Sequence, residues 1–406
     1  MTETIARWTF LLAGAAAATW LFILLAHSRM LLRMLSEPVF RHPVLLIESD
    51  DWGAGPLVQA QALHDIIGVL VRHHDSTGRA PMLTLAVVLA VPDTAAIRAE
   101  GGHHRIALDH ALFEPVLQAL RAGVGRGVFA LQLHGLEHYW PATLQRSADP
   151  AVQAWRRQPG IPETEQLPSP LQSRWVNTAV LPSLPHPRDD IVAAVADEVA
   201  AWRRVFGEPP RSVVPPTFVW TRAVEAAWAE QGIECLVTPG VRYTSRTASG
   251  GTAGEEDRFI NGQRTAGMVC VVRTDYFEPL RGRDARHALA VLGRDTAQGR
   301  PCVLENHRNN FCGSAEGLQR SLLELDTLMR EALARFPGLR FLSTAELGRV
   351  LRARDPAWLV VPFFERWPFL WARLRHTGRL WKLMRFSGLA GVVSLLARAA
   401  SHGPSR

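Results

Sequence analysis

The chain has 406 residues, of which 47% are hydrophobic, and its 45 lysines and arginines against 38 acidic residues give a formal net charge of +7. This hydrophobic fraction excludes a largely disordered chain. The sequence holds no recognisable nucleic-acid-binding module, and its basic ends lie beside apolar stretches. The charge therefore predicts contact with anionic membrane lipid and no nucleic-acid partner.

The N-terminal segment predicts a membrane anchor. Residues 8–26 are apolar and uncharged over a length that can cross a bilayer as a helix. No A-x-A site follows, which favours an uncleaved anchor over the alternative of a cleaved signal peptide. One arginine precedes the run and three follow it: Arg7, then Arg29, Arg33 and Arg41. The positive-inside rule then favours the cytoplasmic side for the main domain.

Short apolar runs alternate with longer amphipathic segments over residues 41–352, which we predict to be one domain. The apolar runs predict buried parallel strands at 44–48, 83–90, 128–133, 212–219, 235–238, 268–273, 302–305 and 339–343. The segments between them predict helices at 57–72, 107–121, 189–205, 222–231, 284–298 and 315–335. About eight strands alternating with helices predict a (β/α) barrel or a doubly wound sheet.

Two segments interrupt this alternation, and the C-terminal part changes character. The Pro-rich segment 141–188 predicts a long loop or lid, and 244–266 predicts a flexible loop. Residues 353–406 interleave Trp with Arg, which is typical of helices at a membrane interface. The alternative is a soluble helical pair packed on the barrel. The four cysteines lack metal-site spacing and predict reduced, mostly buried thiols.

Two polar clusters directly follow predicted strands. Asp50 and Asp51 end the first strand, where one carboxylate can hold a metal while the other faces a substrate. An Asp pair alone can equally be a solvated strand end or a helix cap. His134 and His138 follow the strand 128–133, and their spacing predicts two imidazoles on one face of a helical turn, where they can share a cation.

Two further segments follow strands in the same way. The double proline within 214–220 makes that segment stiff and predicts that it lines a surface. Trp220 within it is either an aromatic wall beside a sugar ring or a core tryptophan. His307 follows the strand 302–305 and can serve as a general acid, although a lone histidine can also be structural.

These clusters predict one site. In a parallel barrel the carboxyl ends of the strands share one face, where active sites form. Two histidines and one aspartate make a facial metal site with open positions for water and substrate. A bound metal lowers the pKa of its water and polarises a carbonyl, while a free carboxylate and a protonated histidine can exchange protons with the reactants.

The motifs ESDDWG at 48–53, HGLEH at 134–138 and ENHRNNF at 305–311 resemble a divergent bacterial branch of the polysaccharide deacetylase family, carbohydrate esterase family 4. The resemblance covers residues 42–350 and implies a distorted (β/α) barrel of seven or eight strands. It implies that Asp50 is the catalytic base and His307 the acid. The implied ligands of a divalent metal, with Zn²⁺ expected, are Asp51, His134 and His138. The expected substrate-binding residues are Trp52, Pro216, Trp220, Arg308 and Asn310.

The sequence also departs from the family pattern. Trp52 stands where the family has Gly, which would narrow the pocket, and Gly135 replaces a Ser or Thr. No clear D-x-x-D-W segment is present, and Asp275 and Glu278 are the nearest acidic residues to it. Arg211 is the expected arginine partner of the base.

The expected reaction is removal of an N-acetyl or similar acyl group from a sugar polymer or a lipid-linked sugar, by an enzyme of the bacterial inner membrane with a single-pass anchor in residues 1–40. Removal of a formyl group from a lipid-linked amino sugar is a rival reaction. A non-catalytic carbohydrate-binding or scaffold protein with the same fold is the alternative from another class. The sequence leaves the sugar, the native metal, the membrane side and the oligomeric state open.

Overall fold

The computed structural model describes residues 2–391, which form two compact units. The central unit is Phe40–Trp358. The terminal unit combines the residues up to Val39 with those from Leu359 onward. The predicted N-terminal and C-terminal segments therefore belong to one unit of the described chain. The last residues of the predicted tail, 392–406, lie outside the described residues.

The helices of the described chain agree in place with most of the predicted segments. In chain order, α1 to α14 are Thr2–Ala26, Ser28–Ser36, Gln59–Leu70, Thr94–Glu100, Glu114–Gly125, Pro141–Arg146, Pro150–Arg157, Arg188–Phe206, Arg222–Glu230, Ala285–Ala297, Ala315–Arg335, Thr344–Ala353, Phe363–Leu374 and Arg379–Phe386. Several of these helices begin at a side chain that accepts a hydrogen bond from the first turn. Ser343 and Glu346 form a reciprocal capping box at the start of α12.

One sheet organises the central unit. In chain order, its strands β1 to β10 are Val44–Gly53, Leu83–Val88, Phe129–Leu133, Ser212–Val213, Cys235–Thr238, Arg264–Thr265, Met268–Val272, Asp275–Tyr276, Cys302–His307 and Arg340–Phe341. Their order across the sheet is β6-β7-β5-β4-β3-β2-β1-β9-β8, and β10 pairs with β1. Only β6 pairs antiparallel within the described sheet. The carboxyl ends of the nine parallel strands therefore share one face.

The chain itself shows that the sheet curls. Strands β7 and β8 lie toward opposite edges, yet only Arg273 and Thr274 separate them in the sequence. Three Cα–Cα steps of about 3.8 Å can span no more than about 11 Å. The Arg273 amide donates to the Thr238 carbonyl at the end of β5, and the Thr274 amide donates to the Val303 carbonyl in β9. The sheet is therefore a curled half-barrel whose edges meet at Arg273.

Two helix clusters pack on the same face of the sheet, and a small cluster of Ala86, Val214 and Val237 lies on the other face. Every residue of β1 and β2 is buried except Asp51, as expected for parallel strands with both faces covered. One apolar cluster packs α3, α5, α10 and α11 against β1, β2 and β9. A second cluster packs α8 and α9 against β3, β4, β5 and β7. All four cysteines are free, and Cys235, Cys270 and Cys302 are buried in strands.

Three predicted segments differ in the structure. The run 212–219 is a strand only at Ser212–Val213, because the two prolines cannot extend the ladder and Pro216–Phe218 forms a 3-10 turn. Residues 107–113 precede α5, which begins at Glu114 with proline as its next residue. The segment 244–266 is largely a hairpin, Val241–Arg246 paired with Thr252–Arg258, and not an irregular loop.

The insertion 141–188 is also more ordered than a plain loop. It holds α6, α7, two 3-10 turns and a short ribbon, Val176–Asn177 paired with Leu184–Pro185. A further ribbon pairs Ala90–Pro92 with Arg105–Ala107. A small apolar core joins the insertion to Tyr139, which precedes it, and its other buried members are Leu144, Val152, Trp155 and Leu167.

The terminal unit contains α1, α2, α13 and α14. Within α1, Arg7–Ala26 is the one described helix that is long and apolar enough to cross a membrane, and none of it is buried. Length and composition alone support this statement, and a signal sequence shares both properties. Helices α13 and α14 pack on α1 and α2 through a cluster built around Leu374, Leu380 and Met384.

Candidate active site

A bulge in β1 places both aspartates at the site. The register of β1 against β2 shifts between Ser49 and Trp52, and Asp51 has a φ of +73°, which is unusual for a residue other than glycine. Adjacent residues of a regular strand point to opposite faces. The bulge instead lets Asp50 face Arg273 while Asp51 faces two histidines. Strained backbone of this kind costs about 1–3 kcal/mol and is commonly found at functional sites.

Asp51, His134 and His138 converge on one point. The Nε2 atoms of His134 and His138 lie 3.4 and 3.3 Å from Asp51 Oδ1, and one donor atom from each residue lies within 4.8 Å of the others. The histidines are not on a helical turn as predicted. The chain leaves β3 in an irregular segment, and Gly135 has a φ of +92°. Glycine adopts this bend at the lowest cost, and the bend brings the two rings 4.8 Å apart.

The chemistry of these donors fits a divalent metal. His134 Nδ1 donates a hydrogen bond to the Val214 carbonyl at 2.9 Å, so Nε2 is the ring atom that faces Asp51 and is placed to bind a metal. Burial lowers the pKa of His138 to about 4, so its ring is neutral, as a metal ligand requires. Burial raises the pKa of Asp51, but the neighbouring histidines outweigh burial and lower it. A carboxylate and two imidazoles with free positions match a catalytic zinc set.

Arg273 organises the carboxylates beside this cluster. It donates two hydrogen bonds of 2.7 Å to Asp50 and one of 2.6 Å to Glu48, and it lies 3.3 Å from Glu305. Burial raises the pKa of Asp50, but the charge and hydrogen bonds of Arg273 together with the charges of His134 and His307 outweigh burial, and the pKa is lowered. Asp50 is therefore held ionised.

Arg273 is the partner that the sequence prediction missed, and Arg211 needs correction. Arg211 is mostly exposed and pairs with Glu234 at the opposite ends of the strands. The signal that could have identified Arg273 is its position directly after the buried strand β7.

His307 lies at the end of β9 in register with Asp50. Its Nδ1 donates a short hydrogen bond to Glu278, and its Nε2 lies 3.6 Å from Glu305. Burial lowers the pKa of His307, but the hydrogen bond to Glu278 and the charges of Asp51 and Asp50 outweigh it and raise the pKa to about 9. His307 is therefore protonated at neutral pH. Of the two acidic residues suggested by the sequence, Glu278 holds His307, and Asp275 binds His287.

The predicted aromatic wall needs correction. Trp52 and Trp220 have 0% exposed surface, and Pro216 is also buried, so none of the three can touch a substrate in this structure. Trp52 Nε1 donates to Ser49, and Trp220 Nε1 donates to Glu225, both at 2.8 Å. These side chains pack the protein interior.

Phe218 presents its ring where the wall was expected. Its ring lies under the Arg273 guanidinium, 5.2 Å from the Cζ atom, and the side chain is partly exposed. Thr217 and Phe218 both have positive φ, which turns this ring toward the carboxylate cluster. The stiff Pro-Pro segment therefore positions Phe218 and not Trp220.

Arg308 and Asn310 follow His307 in a 3-10 turn and are both buried. Arg308 Nη2 donates to Glu165 of the insertion at 2.5 Å. Asn310 Nδ2 donates to the His307 carbonyl at 3.1 Å. Asn310 therefore stabilises the His307 backbone through this hydrogen bond. The guanidinium of Arg308 is paired with Glu165.

A buried ionic network supports the segment that carries the two histidines. Glu137 lies between them and accepts hydrogen bonds from His103 at 2.9 Å and from Arg174 at 3.2 Å. Arg174 also donates to the carbonyl of Tyr139. Glu198 accepts a hydrogen bond from the Leu136 amide. The insertion therefore contributes Arg174 to the shape of the histidine segment, which the sequence analysis did not predict.

Residues 176–296 match glycosyl hydrolase family 57. The match covers less than a third of the chain. It includes Arg273 and Glu278, while Asp50, Asp51 and the three site histidines lie outside it. Among curated proteins, no relative of this sequence is found.

Several solved structures are similar to this chain at low identity. The 4-α-glucanotransferase from Thermococcus litoralis is 11% identical with a TM-score of 0.38, over 76% of this chain and 40% of that chain. A family 4 acetyl xylan esterase from Clostridium thermocellum, in complex with a cobalt ion, is 13% identical with a TM-score of 0.35, over 76% of this chain and 91% of that one. A family 4 carbohydrate esterase from Streptomyces lividans is 11% identical with a TM-score of 0.35, over 80% and 99%.

Proposed function

We propose that this protein is a metal-dependent hydrolase that removes an N-acetyl or similar acyl group from a sugar polymer or a lipid-linked sugar. The observation that carries the proposal is the convergence of Asp51, His134 and His138 within 4.8 Å, directly beside the Asp50–Arg273 and His307–Glu278 pairs. One cluster offers metal ligands, and the two pairs offer an ionised carboxylate and a protonated imidazole. Hydrolysis of an amide needs all three functions.

The metal ligands, Asp50 and His307 have separate roles in this reaction. Asp51, His134 and His138 would hold a divalent metal, with Zn²⁺ expected for this donor set, and a bound metal would supply Lewis acidity toward the acyl carbonyl and the attacking water. Asp50, held ionised by Arg273, accepts a proton from the water. His307, held protonated through Glu278 at Nδ1, donates a proton from Nε2 to the leaving amine.

The class of substrate rests on separate support. The segment 176–296 matches a family of carbohydrate-acting hydrolases and includes Arg273 and Glu278 of the candidate site. This supports a carbohydrate substrate. The apolar helix within α1 favours a lipid-linked sugar at a membrane over a soluble oligosaccharide. The amide-cleaving chemistry is inferred from the metal-type donor set.

The first test measures metal content and acyl release in the same samples. The purified wild-type protein should hold about one transition metal per chain and release acetate from N-acetylated oligosaccharides. The His134→Ala/His138→Ala variant should lose both properties. His104→Ala is a matched control, because His104 is partly exposed and pairs with Glu100 away from the cluster.

Each outcome has a distinct meaning. Bound metal without acetate release would support the metal site but not N-acetyl as the group removed. Formyl and other acyl groups on lipid-linked sugars would then be the substrates to assay. A folded wild-type protein that binds no metal after zinc addition would contradict the hydrolase and favour the non-catalytic carbohydrate-binding alternative.

A second candidate is cleavage of a glycosidic bond, which the glycosyl hydrolase match favours. Asp50, Glu305 and His307 present donor atoms within 4.8 Å of one another. Burial raises the pKa of Glu305, while Arg273, His134 and His307 together outweigh burial at Asp50 and lower its pKa. Two carboxyl groups with separated pKa values are the pattern of a glycosidase. New reducing ends without acetate would identify this reaction.

A further inference from the structure

The terminal unit presents an aromatic and basic surface on α13 and α14. We propose that this surface lies in the headgroup region of an anionic lipid bilayer, beside the point where α1 leaves that bilayer. We name it the interfacial surface. Its exposed apolar members are Phe363 and Phe364 of α13, Leu383 and Phe386 of α14, and Val361 directly before α13. The proposal goes beyond the catalytic function and depends only on α1 being embedded in a membrane.

Contacts with α1 set the depth of the surface. The buried side chains of Leu374, Leu380 and Met384 form a cluster with Trp20 and Ile23 of α1. Ala26 ends the apolar span. At 1.5 Å per residue, Trp20 lies roughly 9 Å from that end. Interfacial helices bury their apolar faces by about 5–10 Å, so the cluster places α14 and the C-terminal end of α13 at that depth.

The exposed side chains suit this depth. Phe364 is 77% exposed and Phe386 is 90% exposed, although both are large and apolar. Phe363 is half exposed and contacts Phe364 and Trp367. Large exposed apolar side chains commonly mark an interaction surface, and Trp, Phe and Leu form the apolar face of helices that lie in a membrane interface.

The charge of the same helices is positive. Four exposed cations lie on or beside α14: Arg375, Arg379, Lys382 and Arg385. The described residues from Leu359 to 391 contain one acidic residue, Glu365. Basic residues at a membrane surface contribute about 1 kcal/mol each toward anionic lipid. This complementarity favours an anionic bilayer over a neutral one.

The helices are held firmly in this position. Arg373 is buried and donates to the carbonyls of Met34, Glu37 and Pro38 at 2.8–3.1 Å. Arg366 donates to the carbonyls of Leu35 and Glu37. These bonds tie α13 to the end of α2, which follows α1 directly. The surface is therefore fixed to the anchor.

The test uses the full-length protein in lipid nanodiscs. Single cysteines at Phe364→Cys and Phe386→Cys, in a Cys312→Ser background, carry an environment-sensitive fluorophore, and lipids brominated near the headgroup are the quencher. In phosphatidylglycerol nanodiscs we expect at least about twofold quenching at both positions. Leu21→Cys, on the exposed side of α1, reports whether the anchor is embedded. Val124→Cys, exposed in the central unit, should stay unquenched.

A charge variant tests the lipid preference. Replacing Arg375, Arg379, Lys382 and Arg385 by Gln should reduce quenching at Phe364→Cys in phosphatidylglycerol and leave it unchanged in phosphatidylcholine. The matched control replaces four exposed arginines of the central unit by Gln: Arg126, Arg203, Arg320 and Arg330.

Three results would overturn the proposal. Quenching at Leu21→Cys without quenching at positions 364 and 386 would show that α1 is embedded in the bilayer while the interfacial surface is exposed to water. Energy transfer between labelled copies without lipid quenching would assign the surface to a second copy of the chain. Absence of quenching at Leu21→Cys would show that α1 is not embedded in the bilayer, which is the premise of the proposal. None of these results bears on acyl release, so the proposal and the catalytic function fail separately.

Discussion

Arg273 donates one hydrogen bond to each carboxylate oxygen of Asp50, both at 2.7 Å. The same guanidinium binds Glu48, which has no exposed surface, and the Arg273 backbone joins the two edges of the curled sheet. One residue therefore closes the half-barrel and holds the candidate base ionised.

Replacing Arg273 by Ala should destabilise the protein strongly. The change leaves Asp50 and Glu48 buried without their cation, and removal of one partner from a buried ionic pair costs about 3–5 kcal/mol. Urea unfolding measures the loss. The control is Arg211→Ala, whose side chain is 61% exposed and whose pair with Glu234 should contribute less than about 1 kcal/mol. Equal stability of the two variants would contradict the central role of Arg273.

The pair of His307 and Glu278 predicts a shift in the pH dependence of activity. His307 donates a proton, so activity should fall as pH rises through its pKa. Glu278 raises that pKa, and Glu278→Gln should therefore move the alkaline limb of kcat/KM to lower pH by about one unit or more. Asp275→Asn is the control, because Asp275 binds His287 instead. If the alkaline limb of kcat/KM lies at the same pH in the wild type and in Glu278→Gln, His307 is not the acid.

The bond between Glu165 and Arg308 predicts how the insertion is held. Arg308 is buried, and Glu165 is its acidic partner from the segment 141–188. Glu165→Ala should release the segment and increase its cleavage by a protease at least about fivefold, as expected for loss of roughly 1 kcal/mol or more of local stability. Glu163→Ala, two residues away with an exposed side chain, should leave cleavage unchanged. Cleavage equal to wild type in Glu165→Ala would show that other contacts hold the insertion.

Substitution of Trp220 tests whether this side chain packs the protein interior or contacts the substrate. Its buried indole donates to Glu225, which in turn pairs with Arg242. Trp220→Phe should lower the free energy of unfolding by about 1–3 kcal/mol through the lost hydrogen bond and packing, with KM unchanged. Tyr276→Phe, at a half-exposed side chain, should change stability by less than about 0.5 kcal/mol. A raised KM with unchanged stability would restore Trp220 as a substrate contact.

Much of the fold follows from local patterns in the sequence. The runs at 44–48, 83–90 and 302–305 are mostly apolar because both faces of these strands are covered, and this composition is typical of parallel strands. The same reasoning places Asp50, Asp51, His134 and His307 at the carboxyl ends of strands. That shared edge is a consequence of parallel order and needs no contact data.

The sequence could not select the residues that complete the site. Arg273 reaches Asp50 over 223 positions, and Glu165 reaches Arg308 over 143. No local periodicity encodes such pairs. The choice of Arg211 as the partner of the base was wrong because proximity in the sequence does not tell which end of the sheet a residue occupies.

The sequence by itself determined the strands, the shared edge that carries the polar clusters, and the apolar N-terminal helix, because each depends on the order of apolar and polar residues along a short stretch. The tertiary structure decided which ionisable groups meet: the curl of the sheet brings Arg273 to Asp50, and the bulge at Asp51 turns its carboxylate to the histidines. It also decided that Trp52 and Trp220 are interior and that Phe218 is not. Burial and charge pairing depend on distant segments packing together, and the physical cost of an unpaired buried charge selects the partners.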